Sequence, residues 1–189
     1  MQMVKELIAV LTRRSNLRLV GFYTIGLVVF LSCQMHDVKS ILKSIRNSTI
    51  VFPAGLSEII DGIPVETTVE MGDLPIMVVY YDSTECNTCL IEHLYEYERL
   101  QNDLGLKCQL ILILSPAKDK ESLVIHMLSM LNYDFKILLD NNNLFLKSNP
   151  VIPKDSRYHA FLIDKGGKPK VIGDPVVYPS LMKLIKKQL

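Results

Sequence analysis

Cys86 and Cys89 stand two residues apart in "YYDSTECNTCLIEHLYEYERL", residues 80–100 of a 189-residue chain. Thiols at this spacing have three uses: a redox pair, half of a soft metal site, or small packing residues at a helix start. An apolar run precedes them and helical periodicity follows, so they fall between a strand and a helix. A helix N-terminus leaves N–H groups unpaired and carries the positive end of the helix dipole. A thiolate placed there is stabilised, so its pKa falls and it attacks a disulfide faster at neutral pH. The pattern therefore predicts Cys86 as an exposed nucleophile. Cys89, one turn in, is the more buried thiol that resolves the mixed disulfide. Glu85 stands beside the first thiol, and a neighbouring carboxylate opposes the dipole and favours a reducing pair over a strongly oxidising one.

The elements that must position this pair follow from periodicity. "PIMVVYY", Pro75 to Tyr81, is a continuous apolar run of the kind found in a buried central strand. After Cys89 the positions Leu90, Leu94, Tyr97, Leu100 and Leu104 recur at helical spacing, and Gly105 is a plausible stop. "KCQLILIL" reads as a strand, "DKESLVIHMLSMLN" as an amphipathic helix with Asp119 as N-cap, and "FKILLD" as a further strand. "NNNLFLKSNPVIP" reads as a short helix or turn, "YHAFLID" and "KPKVIGDP" as strands joined at "KGG", and "PSLMKLIKKQL" as a closing helix. Upstream, residues 34–48 read as a short amphipathic helix. "TIVFP" and "PVETTVEM" read as strands separated by the turn chemistry of "DGIP". Alternating strands and helices with a terminal hairpin imply an α/β three-layer sandwich around a mixed central sheet.

The N-terminus sets the compartment. "MQMVKELIAVLTRRSNLR" is a basic lead, followed by an uncharged apolar run from Leu19 that ends in "FLSC" at Cys33. The run is shorter than the roughly 20 residues a spanning helix needs, and lead, run and small residue together describe a secretory signal. "FLSC" resembles the lipobox of bacterial lipoproteins, which implies lipid attachment at Cys33. An uncleaved signal anchor is the other reading. Either places the remaining chain outside the cytoplasm, because the positive lead stays inside. The organisation expected is a signal peptide or anchor over 1–32, a tether and N-terminal extension over 33–64, and the folded domain over 65–189. The net charge is +1, with no basic run interleaved with aromatics, so no nucleic-acid partner is expected. Of the four cysteines, Cys108 lies in an apolar strand and reads as a core residue. The remaining pair fits a redox couple better than a disulfide framework.

From about residue 65 onward the chain resembles thioredoxin-like thiol–disulfide oxidoreductases of the bacterial envelope, of the anchored kind also found as lipoproteins in Bacteroidetes-type bacteria. "MVVYYDSTECNTC", the "FKILLD" strand and "FLIDKGGKPKVIGDP" carry the resemblance. It implies a thioredoxin-like fold and thiol–disulfide exchange through Cys86 and Cys89 with no cofactor. It also implies partners among envelope protein thiols and disulfides and a membrane electron donor or acceptor. The family sets a cis-proline before the "FLID" strand, facing the active site. Tyr158 holds that position here, followed by His159, so a trans bond and a different substrate loop are expected. The chain also lacks the family's tryptophan before the first cysteine and has Asn87-Thr88 between the two.

Other readings remain open. Two thiolates and His159 could make a soft copper or zinc site, similar to that of copper-delivery proteins of cytochrome oxidase assembly, although those use CxxxC. Peroxiredoxins share the fold but space their threonine differently from Thr84. A non-enzymatic lipoprotein with a structural Cys86–Cys89 disulfide is the main alternative, since one scaffold hosts many functions. His36, His93 and His126 have no supporting context, and no metal is expected.

Overall fold

A computed structural model of the chain describes residues 37–84, 91 and 94–189. Chain contacts divide it into residues 1–43 and a compact unit, Ser44–Leu189. Among the described residues no helix is long and apolar enough to cross a membrane, and the run from Leu19 to Cys33 lies outside them.

Residues 37–47 are helical (α1). The chain then forms β1 (Leu56–Ile60), β2 (Ile63–Thr67), β3 (Ile76–Tyr81), helix α2 (described over Leu94–Leu104) and β4 (Gln109–Leu114). Helix α3 (Glu121–Ser129), β5 (Lys136–Leu139), helix α4 (Leu144–Ser148), β6 (Ala160–Ile163), β7 (Pro169–Ile172) and helix α5 (Leu181–Gln188) complete it. The seven strands form one sheet in the order β2-β1-β5-β4-β3-β6-β7. β3, β4 and β5 are parallel, whereas β1, β2, β6 and β7 run antiparallel to their neighbours, so the sheet is mixed as expected.

Period-two alternation divides the core. Met77, Val79, Leu110, Leu112 and Leu114 point to the face covered by Leu94, Tyr97, Leu100 and Leu104 of α2, Val124 and Leu128 of α3, and Ile185 of α5. Ile76, Val78, Tyr80, Ile111, Ile113 and Phe161 point to the opposite face, where Phe145 of α4 stacks on Tyr80 at 5.4 Å. Because β3, β4 and β5 lie side by side in chain order, right-handed crossovers put α2 and α3 on the same face. Both edge strands carry a proline, Pro64 in β2 and Pro169 in β7, which removes a backbone donor from each open edge.

Two local expectations are corrected. The strand before the "DG" turn is Leu56–Ile60 rather than "TIVFP". Asp61 and Gly62 have φ of 51° and 76°, the positive pair that a two-residue hairpin turn requires. "TIVFP" is tied down without a strand ladder: Val51 donates to Asn149 Oδ1, Asn149 Nδ2 donates back to Val51, and Ile50 donates to the Gly167 carbonyl. The hairpin β1–β2 lies largely before residue 65, and β1 pairs with β5 at Ser57–Leu139 and Glu58–Leu138. Finally, α3 takes Lys120 as its N-cap without a side-chain cap, and Asp119 lies one residue earlier, 3.9 Å from the Lys120 ammonium.

Candidate functional site

The carboxyl ends of β3, β4 and β5 meet the amino end of β6 and the carboxyl end of β7 at one end of the sheet. The chain leaves β3 at Tyr81 and turns at once. Asp82 Oδ1 accepts the Thr84 N–H at 2.7 Å and the Thr84 hydroxyl at 2.5 Å, so the threonine holds the turn. Cys86 and Cys89, with Glu85, Asn87, Thr88 and His93, lie outside the described residues, as do Cys33 and His36. Ile91, helical and 3% exposed, joins the core beneath α2.

Around the end of β3 two hydrogen-bonded chains of polar groups are built into the core. Tyr81 and Tyr97 have their hydroxyls 2.6 Å apart, and Tyr97 donates to Asp174 Oδ2 at 2.5 Å. That order makes Tyr81 the donor to Tyr97. The Val176 N–H reaches Asp174 Oδ1 at 2.8 Å. Burial raises the Asp174 carboxyl above its ordinary value, against the lowering effect of the Tyr97 hydroxyl and the Val176 and Val177 amides. Burial, followed by the Asp174 charge, pushes the Tyr97 phenol far upward, so Tyr97 stays a donor throughout the accessible pH range. On the other face Tyr80 donates to Asn143 Oδ1 at 3.0 Å, as does Ser115 at 2.8 Å. Asn143 sits in the left-handed region at φ 52°. Behind it Asp140, fully buried, accepts the Leu144 and Phe145 amides at 2.7 and 2.8 Å and so starts α4.

The two loop residues singled out from sequence are inward-facing. Tyr158 is 7% and His159 2% exposed. His159 Nε2 donates to the Pro153 carbonyl at 2.9 Å, its carbonyl accepts the Tyr80 N–H, and its ring meets Tyr80 edge-on at 5.4 Å. No cis peptide bond occurs among the described residues, in line with the trans bond expected before Tyr158. The exposed residues of the loop are Lys154, Ser156 and Arg157. Arg157 forks onto Asp155 with contacts of 2.6–3.0 Å, which holds that carboxyl below its usual range. A cleft of about 230 Å³ opens between this loop, Tyr81, His159, Asp174, Val177 and Tyr178.

Cys108 lies at the opposite end of the sheet, 2% exposed, with its thiol pushed up to about 11 by burial. The core reading is the one its surroundings support, because a thiol so rarely ionised is a poor nucleophile. Among the described residues no group of three or more His, Cys, Asp or Glu side chains could hold a metal ion. Tyr97 and Asp174 are 77 residues apart and were not picked out from sequence. The available signal was a phenol at a core position of an amphipathic helix, where the hydroxyl needs an acceptor.

No protein-family model matches the chain, and no curated protein matches it by sequence. Solved structures do resemble it. A Chlorobium tepidum protein assigned as thiol:disulfide interchange protein DsbE aligns with TM-score 0.51 and 16% identity over 75% of this chain and 96% of its own. A Bacteroides vulgatus protein assigned as a thiol-disulfide oxidoreductase aligns with TM-score 0.50 and 18% identity over 72% and 94%. At such identities the likeness speaks for the fold, and the fold of this chain is thioredoxin-like.

Proposed function

We propose that the protein carries out thiol–disulfide exchange on proteins of the bacterial envelope, with Cys86 as nucleophile and Cys89 as resolving thiol, tethered through lipid at Cys33. One observation carries the reading. In a thioredoxin-like fold, the sequence C-N-T-C falls in the short stretch between the end of β3 at Tyr81 and the described start of α2 at Leu94. The two similar structures, both of proteins assigned to disulfide exchange, point the same way.

The Cys86 thiolate attacks one sulfur of a substrate disulfide, the S–S bond breaks, and the departing substrate thiolate takes up a proton. Loss of its own proton then makes Cys89 a thiolate, which attacks the Cys86 sulfur. The second substrate thiol leaves reduced, and Cys86–Cys89 remains as a disulfide. A dithiol donor on the envelope side returns two electrons to the pair. Run backwards, the same steps oxidise a substrate. Near the end of β3 the described groups are the buried Tyr97 with Tyr81 packed against it, and a cleft about the size of one side chain beside the Arg157 loop.

The test is a glutathione redox titration of the full chain, with Cys86→Ser and Cys89→Ser variants scored by thiol trapping and mass spectrometry. The expected result is a pair that titrates reversibly above about −300 mV, with Cys89→Ser trapping partners through Cys86. A bond that reduces only on unfolding, or variants that trap nothing, would mean a structural disulfide on a binding scaffold.

A further inference from the structure

At the end of the sheet where β4 and β5 begin, Leu106 is the most exposed of the large apolar side chains among the described residues. Helix α2 ends with Gly105 at φ 59°, the left-handed closing residue, followed by Leu106 in a 3-10 turn, Gly105–Lys107. In this type of helix ending the residue after the glycine usually folds back onto the last helical turn. Here Leu106 is 95% exposed. The turn is nevertheless held firmly. Gln101 Nε2 donates to the Gly105 and Cys108 carbonyls at 3.4 and 3.3 Å, and Gln101 Oε1 accepts the Leu110 amide at 2.9 Å. A braced loop that displays a leucine to solvent offers apolar area to a partner with little ordering left to lose on binding.

A receptacle lies beside it. A cleft of about 580 Å³ is lined on its apolar side by Val69, Leu74, Leu110 and Phe135, and Leu106 stands on its rim. Two acids, Glu70 and Asp134, line the same cleft and are exposed, whereas its one lysine, Lys136, is held at 2.9 Å by Glu58. Lys107, next to the leucine, is exposed. Leucine, cleft and two negative charges thus share one surface, and the positive charge of Lys107 follows the leucine directly in the chain. A two-fold interface requires this arrangement, because one surface must serve as both donor and acceptor.

We propose that this patch is a self-association surface. In a two-fold dimer each Leu106 enters the cleft of the partner subunit, and each Lys107 meets the acidic rim formed there by Glu70 and Asp134. The occupant is a second copy of this chain, since Lys107 beside the leucine and the two acids lining the cleft give the surface charges of both signs.

The test is sedimentation of the full-length chain in a mild, density-matched detergent across a concentration series. The expected result is a reversible monomer–dimer equilibrium that Leu106→Asp weakens at least about tenfold. Leu106→Asp should leave the melting temperature unchanged, because so exposed a side chain adds little to the core. Lys107→Glu should weaken the dimer as well, and adding Glu70→Lys to it should restore binding, a rescue that does not depend on the leucine variant. A chain monomeric at every concentration overturns the proposal. So does a dimer indifferent to Leu106→Asp, or a ladder of higher species, which would mean a head-to-tail contact.

Discussion

Replacing Tyr97 by phenylalanine should destabilise the protein in a pH-dependent way whose sign is fixed by Asp174. Tyr97 is 1% exposed, so the substitution keeps the ring packed and deletes only the hydroxyl that bridges Tyr81 and Asp174. Burial raises the folded Asp174 pKa above its ordinary 3.8, with Tyr97 among the groups restraining that rise. A carboxyl whose folded pKa is raised contributes stability that is fully present below the unfolded value and is lost as pH climbs through the folded one. Deleting the restraint raises the folded pKa further and deepens that loss. While Asp174 is protonated the variant loses a neutral hydrogen bond, worth about 1 kcal/mol. Once Asp174 is charged it loses a bond to an ion in a partly buried site, about 2–2.5 kcal/mol. The difference of about 1–1.5 kcal/mol corresponds to about one further pKa unit.

Urea unfolding of the parent, Tyr97→Phe, Asp174→Asn and the double variant, each near pH 3, below the ordinary carboxyl value of 3.8, and near pH 8, measures this directly. The penalty for Tyr97→Phe should grow by about 1 kcal/mol or more between the two conditions. It should lose its pH dependence in the Asp174→Asn background. An equal penalty at both pH values, or one that Asp174→Asn leaves unchanged, would refute the assignment of Asp174 as the buried charge that Tyr97 serves.

Asp140→Ala should cost about 2–4 kcal/mol in urea unfolding, because it strips the acceptor from the Leu144 and Phe145 amides at the start of α4. Gly167→Ala should lower the melting temperature through a loss of about 2 kcal/mol or more: its φ of 75° disfavours a side chain, and the added Cβ would meet the Ile50 carbonyl oxygen at 2.7 Å. Cys108 should resist alkylation in the folded protein at neutral pH and react faster as pH approaches its thiol pKa of about 11, or when urea opens the core.

Much of the architecture was legible because it depends on local period. Met77, Leu110 and Leu112 on one face, and Val78 and Ile111 on the other, alternate within runs whose length and β-branching already mark strands. Leu94, Tyr97, Leu100 and Leu104 repeat at helical spacing and are the residues α2 buries. The "KGG" turn and the stop at Gly105 follow from positive φ at Gly167 and Gly105. What failed depends on partners far away in sequence. "TIVFP" has strand composition, yet its backbone bonds go to Asn149, 98 residues on, and to Gly167, and neither leaves a mark near residue 50. The true strand, "LSEII", shows no alternation to read: Ser57 and Glu58 stand side by side between Leu56 and Ile59, which are buried on opposite faces of the sheet. Tyr158 and His159 stand before β6, which starts at Ala160, rather than within the strand read as "YHAFLID", and that the His159 ring turns inward is decided by Pro153 and Tyr80, which periodicity does not report.

The two proposals place their surfaces at opposite ends of the same sheet, and this makes them separable. Leu106 precedes β4, whereas the chain leaves β3 at the far end of β4, since Tyr81 pairs with Leu114, and Cys86 and Cys89 follow within eight residues of Tyr81 in the sequence. A strand of six residues, at about 3.3 Å per residue, sets these ends roughly 20 Å apart. A dimer closed through Leu106 would therefore leave the proposed exchange site of each subunit open. Leu106→Asp should abolish self-association while disulfide exchange, assayed per subunit, stays within about twofold of the parent. A coupled loss of both would mean that the patch at Leu106 governs the cysteine end through the sheet, or that the substitution disturbs the fold. An unchanged melting temperature in Leu106→Asp would leave only the first, and the two surfaces would then have to be treated as one device.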